Sequence, residues 1–223
     1  MTEQQTRMNR VGRVVEPEKV DFILCETPEP GPGQVLIKIV SSSICGSDLH
    51  IFKGKHPAVA LPVTIGHEFA GDVVAVGQGV ANVTVGDRVT VEPVIVCGKC
   101  RACQHGEYGY CERISFTYRN GDGAMAEYIT VLEPYVYKIP DHLSYDGGAL
   151  IEPLAVATHA VRRAGIKLGE KVLIIGGGAI GILIAALCRI NGASEVAVVD
   201  FSDARLKMAL KLGATTIINP KET

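Results

Sequence analysis

This chain lacks a charge excess of either sign. Its 22 lysines and arginines stand against 24 aspartates and glutamates, leaving −2 over 223 residues. That balance gives no reason to expect nucleic acid or an anionic membrane as a partner. An apolar signal core is missing too, because Met1 to Arg10 is polar. The expectation is a cytoplasmic chain, in a compartment where disulfides are rare. A membrane-spanning run is also wanting. The most apolar stretch, Val172 to Cys188, is shorter than the ~20 residues a spanning helix needs, and three successive glycines near its start would weaken a helix. There is no internal repeat and no low-complexity segment. Apolar residues, by contrast, make up 47% of the chain, ample for a core, and the length suits one large domain or one and a half.

The first part reads as β-rich. Val35 to Val40 has β-branched density and follows the turn run Pro28 to Gly33. Phe69 to Val76, Asp87 to Val91, Glu127 to Leu132 and Tyr135 to Ile139 are further strand candidates, so a small barrel or sandwich is expected. The texture changes near Ser144. Asp146 to Ala164 reads as a helix that Pro153 kinks or bounds. A strand (171–175), a helix (179–191), a strand (195–199), a helix (202–212) and the start of a third strand (215–218) follow. This β-α-β-α-β order is the first half of a doubly wound parallel sheet. The fold class expected is therefore α/β, with a β-rich domain over 1–150 and a half-built nucleotide-binding domain over 151–223.

Seven cysteines are present. Four of them, Cys97, Cys100, Cys103 and Cys111, fall in one short run with gaps of two, two and seven residues. Thiolates this close repel unless a cation holds them, and Zn²⁺ takes four sulfurs tetrahedrally. A structural zinc lobe over about 93–115 is expected. An iron–sulfur cluster would call for a three-residue last gap and a following proline, whereas Glu112 follows here. A disulfide pair does not suit the compartment. Cys25 and Cys188 sit in apolar runs and are expected to be inert core residues.

The run Gly176-Gly177-Gly178-Ala179-Ile180-Gly181 is a G-x-G-x-x-G. It follows an apolar strand, opens a helix, and has an acid, Asp200, at the end of the next strand, which makes the motif strong. Gly176 permits a tight turn, Gly178 lets a pyrophosphate approach the helix N-terminus, and Gly181 lets helix and sheet pack closely. Asp200 can bind both ribose hydroxyls and would repel a 2′-phosphate, so NAD is expected over NADP. A second metal site is dispersed among Cys45, His67 and Glu152. A thiolate, an imidazole and a carboxylate suit a zinc with an open position, though each residue alone has a duller reading in a core, a loop or a helix surface.

These residues resemble the zinc-dependent medium-chain dehydrogenases, and within them the polyol type: sorbitol, xylitol and butanediol dehydrogenases. The matching runs are Cys45 to His50, Gly66 to Gly71, Val85 to Val89, the cysteine quartet, Glu152 to Ala155 and Gly176 to Gly181. They span nearly the whole chain in family order. The resemblance implies a GroES-like catalytic domain followed by a Rossmann domain, with two zinc ions and NAD as cofactors. Cys45, His67 and Glu68 would hold the catalytic zinc, with Glu152 ligating directly or through water. Asp48 would orient His67, Ser47 would bond the substrate hydroxyl, and His50 would pass the proton to solvent. Ile180, Asp200 and Arg205 would contact the dinucleotide. Phe116, Tyr118 and Ile51 would line the pocket or pack in the core.

The implied reaction moves hydride from a secondary alcohol or polyol to NAD, giving a ketone. Small-molecule alcohols are the expected partners, and full-length relatives would be homodimers or homotetramers. Family chains are longer by about a hundred residues or more. The chain is thus expected to be C-terminally incomplete, to bind NAD weakly and to turn over poorly alone. A zinc-free quinone reductase of the same superfamily and a non-catalytic zinc-binding fragment are the rival readings.

Overall fold

The computed structural model describes residues 8–116 and 123–222. They form two compact units, Met1–Leu150 and Ile151–Thr223.

The first unit opens with strands β1 (Met8–Glu16) and β2 (Lys19–Glu26), an antiparallel hairpin. After β3 (Gln34–Ser42) comes a short helix, α1 (Gly46–Phe52). Then follow β4 (Val63–Thr64), β5 (Phe69–Val76), β6 (Arg88–Val91) and β7 (Val94–Ile95). A four-residue helix α2 (Arg101–Gln104) precedes β8 (Ser115–Phe116), β9 (Tyr128–Leu132), β10 (Val136–Lys138) and helix α3 (Tyr145–Ala149). Strands β10-β6-β5-β3-β9 make one five-stranded antiparallel sheet, and β2-β1-β4 a second sheet of three. Alternating inward residues meet in one core: Val35, Ile37, Phe69, Val73, Val89, Val91, Ile129 and Val131 are all at most 5% exposed. Each such side chain contributes about 1.5–3 kcal/mol by leaving water, so this core, not any polar network, holds the unit.

The second unit is a β-α-β-α-β run. Helix α4 (Ile151–Ala164) leads into β11 (Lys171–Ile175), α5 (Ala179–Ile190), β12 (Glu195–Val199), α6 (Asp203–Leu212) and β13 (Thr216–Ile218). The three strands pair in parallel in the order β11-β12-β13. Val161, Ile174, Ile182, Ala185, Cys188, Val196, Val198, Leu206 and Ala209 build its core. The apolar stretch from Val172 to Cys188 is thereby absorbed by a strand, a turn and a packed helix. Among the described residues no helix is long and apolar enough to cross a membrane.

Two expectations need correction. The helix expected over Asp146 to Ala164 is two helices, broken at Leu150. Pro153 lies in the first turn of α4, where its missing N–H has no intrahelical partner to lose, so it marks a boundary rather than a kink. Cys25 is exposed on β2, not buried. All eight β2 residues are exposed, so the apolar run around Cys25 does not enter the core. Cys188 is buried in α5 as expected.

The glycine turn shows why its residue types are needed. Gly176 has φ +104, a region L-residues with a Cβ rarely adopt. At Gly181 a Cβ would stand 1.9 Å from the Gly176 carbonyl oxygen. Gly181→Val is therefore expected to destabilise the second unit by about 3 kcal/mol, the upper end of overpacking costs, read from urea unfolding of the chain.

Candidate metal centres and nucleotide-binding turn

The first centre is the quartet. The sulfurs of Cys97, Cys100, Cys103 and Cys111 lie within 4.8 Å of one another, with Cys100 and Cys103 at 3.5 Å and Cys97 and Cys103 at 4.0 Å. Four sulfurs at the Zn–S distance stand about 3.8 Å apart at the corners of a tetrahedron, so the spacing fits the ion. Backbone N–H groups point at the same atoms. Lys99 and Cys100 donate to the Cys97 sulfur, and Cys97 and Arg113 to that of Cys111. Those donors from Lys99 and Cys100 bring the Cys97 thiol down to about 6. The N–H groups of Cys103 and Glu112 lower Cys100. Cys103 is pushed up to about 12 by desolvation and by its neighbouring sulfurs. Four sulfurs at this spacing, with backbone N–H groups aimed at them, suit a cation.

The second centre forms where β3, α1 and β5 meet. Cys45 caps the N-terminus of α1, and His67 and Glu68 immediately precede β5. Donor atoms of Cys45, His67 and Glu68 lie within 4.8 Å of one another, with the imidazole and carboxylate buried and the thiol half-buried. Asp48 is fully buried. It accepts the backbone N–H of Cys45 at 2.9 Å and that of Gly66 at 3.2 Å, tying the two ligand-bearing segments together. Its other contact is His67 Nδ1, 3.5 Å from Oδ1. Burial works against a charged imidazole, but the bonds to Asp48 and Cys45 outweigh it and raise His67 to about 10. The hydrogen bond from His67 lowers the Cys45 thiol, with Ser47 adding to the effect against burial. A thiol readily deprotonated, an imidazole oriented through Nδ1 and a carboxylate form a mixed donor set that suits zinc with an open position.

Ser47 faces the Cys45 sulfur through both hydroxyl and N–H. His50 is exposed on α1. Glu152 belongs to the other unit, half-buried in the first turn of α4. Ile51 is 1% exposed and packs with Val63, Leu61 and Phe116, so it is core. Tyr118 lies outside the described residues. Ser42 and Ser43, which the sequence reading passed over, converge on Glu68: the Ser43 hydroxyl donates to its carboxylate, and the Ser43 N–H and Ser42 hydroxyl donate to its carbonyl at 2.9 and 3.2 Å. The signal available was a serine run, Ser41 to Ser43, set directly before the Ile44-Cys45 pair.

In the second unit, Gly178 caps α5. The carboxylate of Asp200 accepts the N–H of Gly177 and of Ser202, each at 2.8 Å. These two donors lower its pKa, and Arg205 Nη1, 3.7 Å away, adds to this. Asp200 is thus held ionised at the end of β12, with lone pairs to spare for ribose hydroxyls. Ile180 sits half-buried in the first turn of α5.

Residues 31–141 match the alcohol dehydrogenase GroES-like domain, and residues 179–223 match the zinc-binding dehydrogenase model. The chain is 43% identical over 211 residues to an uncharacterized zinc-type alcohol dehydrogenase-like protein, YdjJ, of Escherichia coli, with 91% of this chain and 60% of that protein covered. It is 42% identical over 199 residues to sorbitol dehydrogenase of Bacillus subtilis, with 87% and 56% covered. Its fold superposes with TM-score 0.92 and 36% identity on a zinc-binding dehydrogenase of Sinorhizobium meliloti bound to NADP, covering 97% of this chain and 63% of that one. The chain spans about 60% of the length of these relatives.

Proposed function

Since the chain belongs to the zinc-binding dehydrogenase family, resembling its polyol branch, we propose that it is the metal- and nucleotide-binding part of an oxidoreductase that oxidises a secondary alcohol or polyol with NAD to a ketone. The observation that carries this reading is the grouping of Cys45, His67 and Glu68 within 4.8 Å, apart from a four-sulfur cluster. One donor set is closed and the other can leave a position for substrate. In this reading residues 1–150 are the catalytic domain and 151–223 the first half of the dinucleotide-binding domain. Cys45, His67 and Glu68 would hold the catalytic ion, and a role for Glu152 as a further ligand, directly or through water, rests on the family resemblance alone. Cys97, Cys100, Cys103 and Cys111 hold the structural one.

Zinc, when bound, supplies a Lewis acid that polarises the alcohol oxygen and lowers its pKa toward neutrality. The chain's residues do the rest. Asp48 Oδ1, 3.5 Å from His67 Nδ1, would orient the ring and leave Nε2 for a metal. Ser47 would relay the substrate's hydroxyl proton, accepting it as it gives up its own, and the exposed His50 would pass a proton on to solvent. Gly176, Gly178 and Gly181 admit the pyrophosphate to the start of α5, while Asp200 binds the adenosine ribose, with Ile180 and Arg205 beside it. The reading includes a cytoplasmic location, a small-molecule substrate and homo-oligomeric full-length proteins.

The test is a screen of secondary alcohols and sugar alcohols with the zinc-loaded chain, together with calorimetric titration of NAD and NADP. NAD is expected to bind more tightly than NADP, and turnover of secondary alcohols or polyols to be detectable but slow. Asp200→Ala removes a charged acceptor worth about 1.5–3 kcal/mol, so the NAD preference should fall about 10- to 100-fold. Equal affinity for both dinucleotides in the unaltered chain would sink the NAD assignment. Dinucleotide binding with no oxidation of any alcohol would instead leave a zinc-binding fragment that acts only as a binding or oligomer partner.

A further inference from the structure

We propose that Ser43 is a positioning residue for the metal ligand Glu68, and that its hydroxyl determines how firmly the open centre keeps its zinc. The inference rests on the reading of Cys45, His67 and Glu68 as that centre. A glutamate reaches a metal through three rotatable bonds, so an unrestrained carboxylate loses entropy each time it ligates. Here the restraint is built in. The Ser43 N–H bonds the Glu68 carbonyl at 2.9 Å, and the Ser42 hydroxyl bonds the same oxygen at 3.2 Å. These two fix the Glu68 backbone against the end of β3. The Ser43 hydroxyl then donates to Oε2 of the carboxylate. Main chain and side chain of one ligand are therefore gripped by two adjacent residues.

The third serine of the run is used elsewhere: Ser41 Oγ donates to Asp146 at 2.7 Å. Glu68 is only 6% exposed, so water cannot readily replace a lost donor. A carboxylate has two oxygens. With Oε2 accepting the Ser43 hydroxyl, Oε1 would keep both of its lone pairs for an ion. Hydrogen-bond partners of ligating carboxylates affect metal affinity by about 10- to 100-fold when removed. Ser43 fits that role by contact.

The experiment follows zinc release from the zinc-loaded 223-residue chain to a chromophoric chelator. The unaltered chain should show a fast phase from the open centre and a slow phase from the cysteine quartet. Ser43→Ala should speed the fast phase by about 10-fold or more and leave the slow phase unchanged, while Ser43→Thr, which keeps the hydroxyl, should stay within about twofold. In a Glu68→Ala background, Ser43→Ala should change nothing further, because the hydroxyl acts only through that carboxylate. Equal release by Ser43→Ala and the unaltered chain overturns the proposal and leaves the centre standing. So does equal acceleration by Ala and Thr, or an effect of Ser43→Ala that survives without Glu68. If the unaltered chain holds a single zinc, all in the slow phase, both the centre and the role of Ser43 fall.

Discussion

Cys100→Ser is expected to remove one zinc ion per chain and to unfold the segment between Val94 and Phe116. The reason is how little else holds that segment. Its regular structure is two strands of two residues, a helix of four and a three-residue 3-10 turn, Tyr108–Tyr110. From Cys97 to Phe116 the single buried residue is Cys111, itself one of the quartet. Tyr108 and Tyr110 are 51% and 77% exposed. Structural zinc contributes about 10–16 kcal/mol to the folding of such small elements, far beyond what these side chains bury. Zinc content should fall from two ions per chain to one. Trypsin should cut at Lys99, Arg101 and Arg113, which are exposed but held in the folded lobe. The five-stranded sheet has its own core and should survive. Unchanged zinc content with no new cleavage would show that the sulfurs hold nothing.

The second unit was readable almost residue by residue, and the start of the chain was not. Strands Lys171–Ile175 and Glu195–Val199 fall where the apolar runs place them. Parallel strands are near-continuous apolar runs bounded by glycine turns, and that contrast is visible in a sequence even though only Ile174 of β11 is buried in this chain. The hairpin of β1 and β2 went unseen because β2 has no buried face at all. With no inward side there is no alternation to detect. Helix α1 was missed for another reason. Its seven residues are too few for a periodic signal, and Asp48, which accepts the Cys45 N–H beside its start, is a tertiary linchpin rather than a local cap alone.

The metal centres divide the same way. The quartet is local, since four sulfurs lie within fifteen residues of sequence, and spacing alone points to it. The mixed centre is not local. Cys45 and His67 are brought together by β3 and β5 pairing in register, Ser42 against Phe69 and Ser41 against Ala70. Before the pairing is known, ligand chemistry suggests Cys45 and His67, the family resemblance adds Glu68, and Ser43, which lies outside the matching runs, stays silent. The register that aligns the ends of β3 and β5 is also what sets the Ser43 hydroxyl on Glu68.

Cys45→Ala is expected to give the mirror image of the quartet substitution: the lobe keeps its zinc and its protease resistance, and the open centre loses its ion. Three cysteines lie outside the quartet, and they differ physically. Cys25 is exposed on β2. Cys188 is buried and its thiol is raised by that burial. The Cys45 thiol is lowered, chiefly by the hydrogen bond from His67. A lowered thiol is the better nucleophile and ligand at neutral pH. Iodoacetamide should therefore alkylate Cys45 well ahead of Cys188 in the zinc-stripped chain, and zinc should protect Cys45 while leaving Cys25 reactive. Loss of the ion removes a Lewis acid worth several kcal/mol to an alcohol oxidation, so turnover should fall by about 10³-fold. Cys25→Ala, by contrast, should leave both zinc ions and turnover unchanged. Alkylation of Cys45 at one rate with and without zinc would remove it from the ligand set, and with it the open centre on which the proposed chemistry depends.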